Sequence, residues 1–363
     1  MTKRIYAILS MVLLLCMVGC HQLQAQQVGV WFDSELQVND KGKCSNVNLL
    51  YLSGDYAVGP HFSLSAATLS IVKTRSESLI DDLQGFSNIE ADNVTLALAL
   101  ACIGWTPNER HSLSVGIRNV NEDYFKSPVT SLFFNSSCGI FPTLSLNMDI
   151  ANYPLASMGL HYRYSAPSYS LQASVYNGQG YDRWAGHDNI WRVAPRADGL
   201  FMIAQGDWQM GTGHYYAGAA LHTGTSGNDA GRSALHAGTL GNDAGRSILH
   251  TGTLGNDAGR STLWAYTEQS LTERLSLIAD YSHAFGHSSQ CTDFVGFGGQ
   301  YTWHQSTLGF FTNYARFRHD SEWATELTYK YDLTSFLFLQ ASCQLIHHGS
   351  WQPVGLLRMS IRI

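Results

Sequence analysis

Ser112-Leu113-Ser114-Val115-Gly116-Ile117-Arg118-Asn119 alternates without a break, with Leu113, Val115 and Ile117 on one side of an extended chain and Ser114, Gly116 and Arg118 on the other. Successive side chains of a strand point to opposite faces, so this segment has one greasy face and one wet face. The same rule holds on either side of it. Met158, Leu160, Tyr162 and Tyr164 oppose Gly159, His161 and Arg163, and Tyr169, Leu171, Ala173 and Val175 oppose Ser170, Gln172 and Ser174. Near the C-terminus Leu327, Tyr329 and Tyr331 oppose Glu326, Thr328 and Lys330. In the last strand Leu357, Met359, Ile361 and Ile363 oppose Arg358, Ser360 and Arg362.

A soluble β-sandwich also alternates, because it buries one face of each strand, so the period alone does not choose the solvent. The strand ends choose better. Tyr162, Tyr164, Tyr169, Tyr301, Trp303, Tyr329 and Tyr331 recur there, as aromatic girdles at two lipid–water boundaries require. The chain has 34 Gly, 12% aromatic and 14% charged residues, with no later apolar run long enough for a membrane helix. A closed barrel reconciles these facts, since it pairs every backbone group in lipid without long apolar runs.

Export is written into the N-terminus. Lys3 and Arg4 precede an apolar run from Ile5 to Gly19 interrupted only by Ser10, which reads as a signal peptide cleaved after Ala25. Met17-Val18-Gly19-Cys20 is a competing lipobox in which Cys20 becomes a lipidated terminus. Cleavage after Ala25 leaves 338 residues, and loss of Lys3 and Arg4 takes the formal charge from −6 to −8. An acidic chain without a basic stripe excludes a nucleic-acid partner. Cys44, Cys102, Cys138, Cys291 and Cys343 remain; five cannot all pair, and their spacing fits no zinc pattern. Cys102 and Cys343 sit in apolar runs and read as small hydrophobes.

The expectation is an all-β transmembrane antiparallel β-barrel of about 16 strands in one domain, residues 26–363, at about 21 residues per strand with its connection. Within it, residues 221–262 hold three tandem fourteen-residue repeats with the core Gly-Asn-Asp-Ala-Gly-Arg-Ser, carrying His222, His236 and His250. A calcium-binding β-helix uses a nine-residue period instead, and ligands fourteen residues apart make a poor metal site. The repeat is expected in an extracellular loop, the rival being short hairpins that lengthen the barrel.

Several segments resemble the carbohydrate-selective porin family (OprB type). They are Asp82-Leu83-Gln84-Gly85-Phe86-Ser87-Asn88-Ile89, Leu113 to Arg118, Asn121-Glu122-Asp123-Tyr124-Phe125, Leu132-Phe133-Phe134-Asn135-Ser136-Ser137, Tyr153 to Gly159, and Val175-Tyr176-Asn177-Gly178. Where the family commonly has Gln-Pro-Asp-x-Gln-Tyr, this chain has Gln340-Ala341-Ser342-Cys343-Gln344-Leu345, without the Pro, Asp and Tyr. The resemblance implies a sixteen-stranded barrel and diffusive uptake of mono- or disaccharides through a pore narrowed by charged and aromatic groups. Periodicity alone stops at an outer-membrane barrel.

Sugars are neutral, so a selective pore needs hydrogen bonds to hydroxyls and flat aromatic faces. Arg118, Arg163, Glu326 and Lys330 are candidates on wet faces, each with the alternative of being merely solvated. Asn121 and Asp123 are candidates in the loop cluster Asn121 to Phe125, which combines carboxylates with aromatics and competes as a simple turn. Trp184, with Tyr181, flanks Asp182-Arg183 as a stacking candidate, against a packing role. No G-x-S-x-G, H-E-x-x-H or P-loop motif is present, so an enzyme is not expected, nor is a cofactor or metal. The expected partners are small saccharides and outer-membrane lipid, in a monomer or homotrimer. A general or phosphate-selective pore and an exported β-rich adhesin stay open.

Overall fold

A computed structural model describes residues 26–224, 260–286 and 289–363; the signal segment, Cys20 and most of the tandem repeat lie outside the described residues. The strands are β1 Gln26–Asn39, β2 Cys44–Ala57, β3 Phe62–Lys73, β4 Val94–Asn108, β5 His111–Arg118, β6 Ser157–Ser165, β7 Tyr169–Asn177 and β8 Leu200–Met210. They continue as β9 Gly213–His222, β10 Arg260–Ser270, β11 Leu275–Phe285, β12 Cys291–Trp303, β13 Ser306–Phe317, β14 Ser321–Asp332, β15 Leu337–His348 and β16 Ser350–Arg362.

Each strand pairs with its chain neighbours, and β1 closes on β16 from Trp31 opposite Arg362 to Asn39 opposite Val354. Reciprocal backbone bonds of 2.8 and 2.9 Å between Val30 and Ile363 finish the seam. The closure has a physical cause: an unpaired peptide group in hydrocarbon costs roughly several kcal/mol, so an open edge cannot stand in lipid. Outward positions carry Val115, Leu160, Leu171, Val295, Phe297, Leu327 and Leu357, all exposed, while Asp33, Glu35, Gln37, Asn313, Glu326, Gln344 and Ser360 point inward and are buried. The barrel is thus apolar outside and polar inside, as the alternation required.

The two ends differ. Short turns at 58–61, 109–110, 166–168, 211–212, 271–274, 304–305 and 333–336 mark one end, which also holds the β1–β16 termini. The long connections 74–93, 119–156 and 178–199 leave from the other, as does the chain between β9 and β10 that carries the repeat. The loop expected at 221–262 is shorter at both margins, because Leu221 and His222 still pair in β9 with Ser261 and Arg260 of β10.

Three further expectations are corrected. All seven of the aromatics assigned to two girdles belong to the short-turn end, with Tyr164 and Tyr169 rings 5.9 Å apart and Tyr301 and Trp303 5.6 Å apart. The opposite girdle is built by Tyr281, Phe285, Tyr314, Trp323 and Trp351, since alternation reports face but not depth. Ile117 is fully buried, not in lipid: Tyr181 and Ile190 of the 178–199 connection cover it together with Leu98 and Ala156. Cys102 faces inward, its Sγ 3.3 Å from Arg118 Nη1, whereas Cys343 is exposed on the outer face. The five cysteines among the described residues are all free.

Two of the long connections turn into the barrel. Residues 119–156 carry an apolar cluster of Val120, Tyr124, Phe125, Leu132, Phe133, Phe141, Leu144 and Ile150, packed on Phe201, Ile203, Trp264, Phe294 and Phe311 of the wall. Residues 74–93 place Leu79, Ile80 and Phe86 against Ala324, Ile346, Val354 and Leu356, and Ile89 and Ala91 against β2–β4.

Candidate functional site

A peptide segment inside a barrel has no strand of its own to pair with, so its buried N–H and C=O groups need partners from the wall. The inward positions of the strands supply them. Glu326, 2% exposed, accepts from the Phe134 N–H at 2.9 and 3.1 Å, from the Asn135 N–H at 3.1 Å, and from the Ser342 hydroxyl at 2.9 Å. Four residues earlier on the same face, Glu322 accepts from the N–H groups of Leu83 and, at 3.2 Å, Gln84. Glu268 accepts from the Ser127 hydroxyl and, at 3.2 Å, from the Val129 N–H. Gln340 and Gln344 donate to the Leu132 carbonyl and, at 2.7 Å, to the Phe86 carbonyl. Hydrogen bonds to an ionised acceptor are about twice as strong as neutral ones, which suits carboxylates to this holding role.

The two inserted segments also bond to each other. The Ser136 N–H donates to Gly85 O at 2.9 Å, the Asn88 N–H to Phe134 O at 2.7 Å, and Asn88 Nδ2 to Phe133 O at 3.1 Å. Gly85 has φ 82°, and Ser136 Oγ stands 2.9 Å from where a Cβ would project, so the close approach needs glycine. Residues 82–89 and 132–137 therefore form a joined partition that narrows the lumen from the side of β13–β16 and β1. Within it burial, aided by nearby Glu322 and Glu90, pushes the Asp82 carboxyl well above the ordinary carboxylate range. Burial also raises Glu90, with Lys73 opposing.

Around the partition the inward cations face carboxylates. Arg118 is buried and forks onto Asp123, Nη2 to Oδ1 at 2.6 Å and to Oδ2 at 2.7 Å, while its Nη1 donates to Ser114 Oγ at 2.7 Å. His161 Nδ1 is 2.8 Å from Ser174 Oγ and its Nε2 3.7 Å from Asp123. Ser174 also contacts the Tyr124 hydroxyl at 2.9 Å and is 3% exposed, so this Ser, His and Asp grouping orders the start of the inserted segment. On the seam Arg358 Nε donates to Glu35 at 2.8 Å and Nη2 to Asn88 at 2.7 Å, its guanidinium 4.2 Å from the Phe134 ring. Arg362 pairs with Asp33 at 2.9 Å, Lys330 with Asp332 at 2.9 Å, and Lys73 with Glu90 at 3.8 Å. The Tyr51 hydroxyl donates to Glu122 at 2.7 Å.

Of the residues singled out from the sequence, only Arg118 and Asp123 come together directly. Asn121 lies beside them, but its Oδ1 accepts from the Tyr153 N–H at 2.9 Å and ties the two ends of the inserted segment. Arg163 lies on the same inner face nearer the short-turn end and donates to Ser170 at 3.3 Å. Lys330 also belongs to that end. Two readings are corrected: Glu326 is a buried anchor whose oxygens are occupied by main-chain amides, and Trp184 lies on the 178–199 connection, its Nε1 bonded to the Leu96 carbonyl at 2.9 Å. Glu122 belongs to the loop cluster singled out from the sequence, whereas Glu35, Tyr51, Asn88 and Arg358 were missed. Part of the signal was available: Trp31, Asp33, Glu35, Gln37 and Asn39 alternate with Phe32, Ser34, Leu36 and Val38, an apolar face broken only at Ser34.

A family model described as the carbohydrate-selective porin, OprB family, matches residues 61–352. No curated protein matches the chain. Among solved structures, the high-pH form of Pseudomonas putida OprB superposes with a TM-score of 0.75 at 15% identity, over 93% of this chain and 94% of that one. The low-pH form gives 0.56 at 14% identity over 93% and 92%. A trimer form of Vibrio cholerae OmpT gives 0.57 at 11% identity over 93% and 99%. At these identities the superpositions speak for the barrel fold.

Proposed function

The chain belongs to the carbohydrate-selective porin family, OprB, and from that premise we propose that its selectivity resides where the partition meets the polar wall, at Asn88, Asn121, Glu122, Asp123 and Arg358, with Arg118 and Tyr51 holding the acids in place. It is an outer-membrane carbohydrate porin, an integral β-barrel, and its family is one of channel proteins rather than enzymes. Small saccharides are its proposed solutes, passing by diffusion without a catalytic step.

The observation that carries this reading is the pairing of four inward cations with carboxylates: Arg118 with Asp123, Arg358 with Glu35, Arg362 with Asp33 and Lys73 with Glu90. Opposed charges cancel locally at long range yet still offer donors and acceptors at contact distance, which favours a neutral polyhydroxylated solute over an ion. A phosphate-selective pore needs cations whose field is not cancelled. Single-channel current in planar bilayers decides between them: sugar is expected to lower the current saturably, and a sugar-blind current blocked by phosphate would overturn the proposal.

Export by a signal peptide ending at Ala25, with the repeat displayed outside the cell on the long-connection rim, completes the reading. N-terminal sequencing of the purified protein should begin at Gln26. Assembly, as monomer or homotrimer, is measured separately by sedimentation in detergent.

A further inference from the structure

Girdle aromatics point into lipid, but Trp31 and Phe338 point the other way. Trp31 shares its face of β1 with Asp33, Glu35 and Gln37, and Phe338 shares its face of β15 with Gln340, Ser342 and Gln344, all lumenal positions. Both lie at the short-turn end, beyond the Glu35–Arg358 pair, and they converge with charged groups from β14 and β16. The Arg362 guanidinium stands 3.8 Å over the Trp31 ring and 5.3 Å from that of Phe338, and Lys330 Nζ is 4.4 Å from the Phe338 centroid. Trp31 Nε1 donates to Asp33 at 2.8 Å, which also anchors Arg362. The group is open: Trp31 is 38% exposed, and the side chains of Arg362, Lys330 and Asp332 keep 32%, 29% and 43% of their surface.

An indole held on the wet face of a barrel, edge-bonded to a carboxylate and bordered by two cations and an exposed acid, has the makings of a pyranose contact. The ring offers a flat apolar surface for sugar C–H groups, and Lys330, Asp332 and Arg362 offer donors and acceptors for hydroxyls. We propose that Trp31, Phe338, Arg362, Lys330 and Asp332 form a second saccharide station at the short-turn mouth, which a neutral hexose occupies before or after crossing the partition. The station rests on the sugar-porin reading above and extends it from one contact zone to two in series. A purely structural cation–aromatic clamp on the β1–β16 seam is the competing account, and it predicts effects on stability alone.

The test is single-channel recording of the oriented wild-type protein in planar bilayers, with glucose added to one side at a time and the association rate taken from current noise. Trp31→Ala is expected to lower the association rate from the short-turn side about five-fold, the scale of one lost aromatic contact, while association from the long-connection side stays at the wild-type rate. Lys330→Met, on β14 rather than on either seam strand and similar in bulk, checks the result in a variant that leaves the β1–β16 pairs untouched; it should lower the rate from the same side. Equal losses from both sides, or wild-type rates from both sides in both variants, would overturn the station while leaving the porin reading in place. A wild-type current that glucose does not reduce from either side would sink both.

Discussion

The two segments that enter the lumen are held by different forces. Residues 119–156 bury a row of large apolar side chains, with Phe141 ringed by Phe125 at 5.2 Å, Phe294 at 5.5 Å and Tyr266 at 6.1 Å. Residues 74–93 bring fewer such groups and depend on polar ties. Asn39 donates to the Leu79 carbonyl at 2.7 Å, the Asp81 N–H to Gln352 at 2.9 Å, the Tyr153 hydroxyl to the Ile89 carbonyl at 2.8 Å, and Glu322 accepts from two amides. Apolar burial is indifferent to proton concentration, whereas ties to buried carboxylates are not. The longer segment thus leans mainly on apolar burial, with Glu326 and Glu268 as its carboxylate ties, and the shorter one leans mainly on its polar ties.

The strongest way to break this contrast is to empty the apolar cluster of the longer segment. Phe141→Ala should destabilise the protein by about 3–5 kcal/mol in urea unfolding from lipid, the range for a large aromatic lost from a packed core. Phe86→Ala, in the smaller cluster, should cost less; equal losses would show that the two segments are held alike. Next comes the carboxylate anchor of the longer segment. Glu326→Ala leaves the Phe134 and Asn135 amides without their acceptor, at about 1–3 kcal/mol, and should raise single-channel conductance as the partition loosens. Glu326→Gln, which keeps an acceptor oxygen, should restore much of the loss.

The pH dependence sharpens the comparison further. Asp82 has its carboxyl raised by burial and by Glu322, so its protonated form favours the inserted position of 74–93. That contribution is present below the ordinary Asp range and is lost as pH rises through the raised value. Protease accessibility of residues 74–93 in intact barrels should therefore increase across that window, and Asp82→Asn should flatten the profile. Cleavage within 119–156, which has the larger apolar cluster, should change less. Ser342→Ala removes one hydrogen bond to Glu326 and should cost about 0.5–1.5 kcal/mol. Smallest of all, Trp184→Ala should leave sugar block unchanged, because its indole lies on the 178–199 connection against Leu96.

Much of the wall was readable and little of the interior. The β5 alternation, the wet face of β14 with Glu326 and Lys330, and that of β16 with Arg358 and Arg362 all hold in three dimensions. What failed was the step from wet face to lumen. Glu326 has the same sequence signature as Lys330, yet one is sealed under the partition and the other opens at the mouth, because the inserted segments reach only part of the wall. The Arg118–Asp123 pair was half visible as two separate candidates five residues apart. The Arg358–Glu35 pair, 323 residues apart, depends on closure of the sheet and has no local trace. The absent Pro, Asp and Tyr between Gln340 and Leu345 matter less than their loss suggests, since Gln340 and Gln344 hold both segments and Ser342 supplies a donor to Glu326.

The order of residues by itself determined strands with one apolar and one polar face, and with the boundary aromatics and the demand of lipid for paired backbone groups it pointed to a barrel apolar outside. Tertiary structure alone decided which polar side chains meet the passing solute, since that depends on where two inserted segments come to rest. Their position is set by contacts between residues far apart in the chain, which no local pattern records.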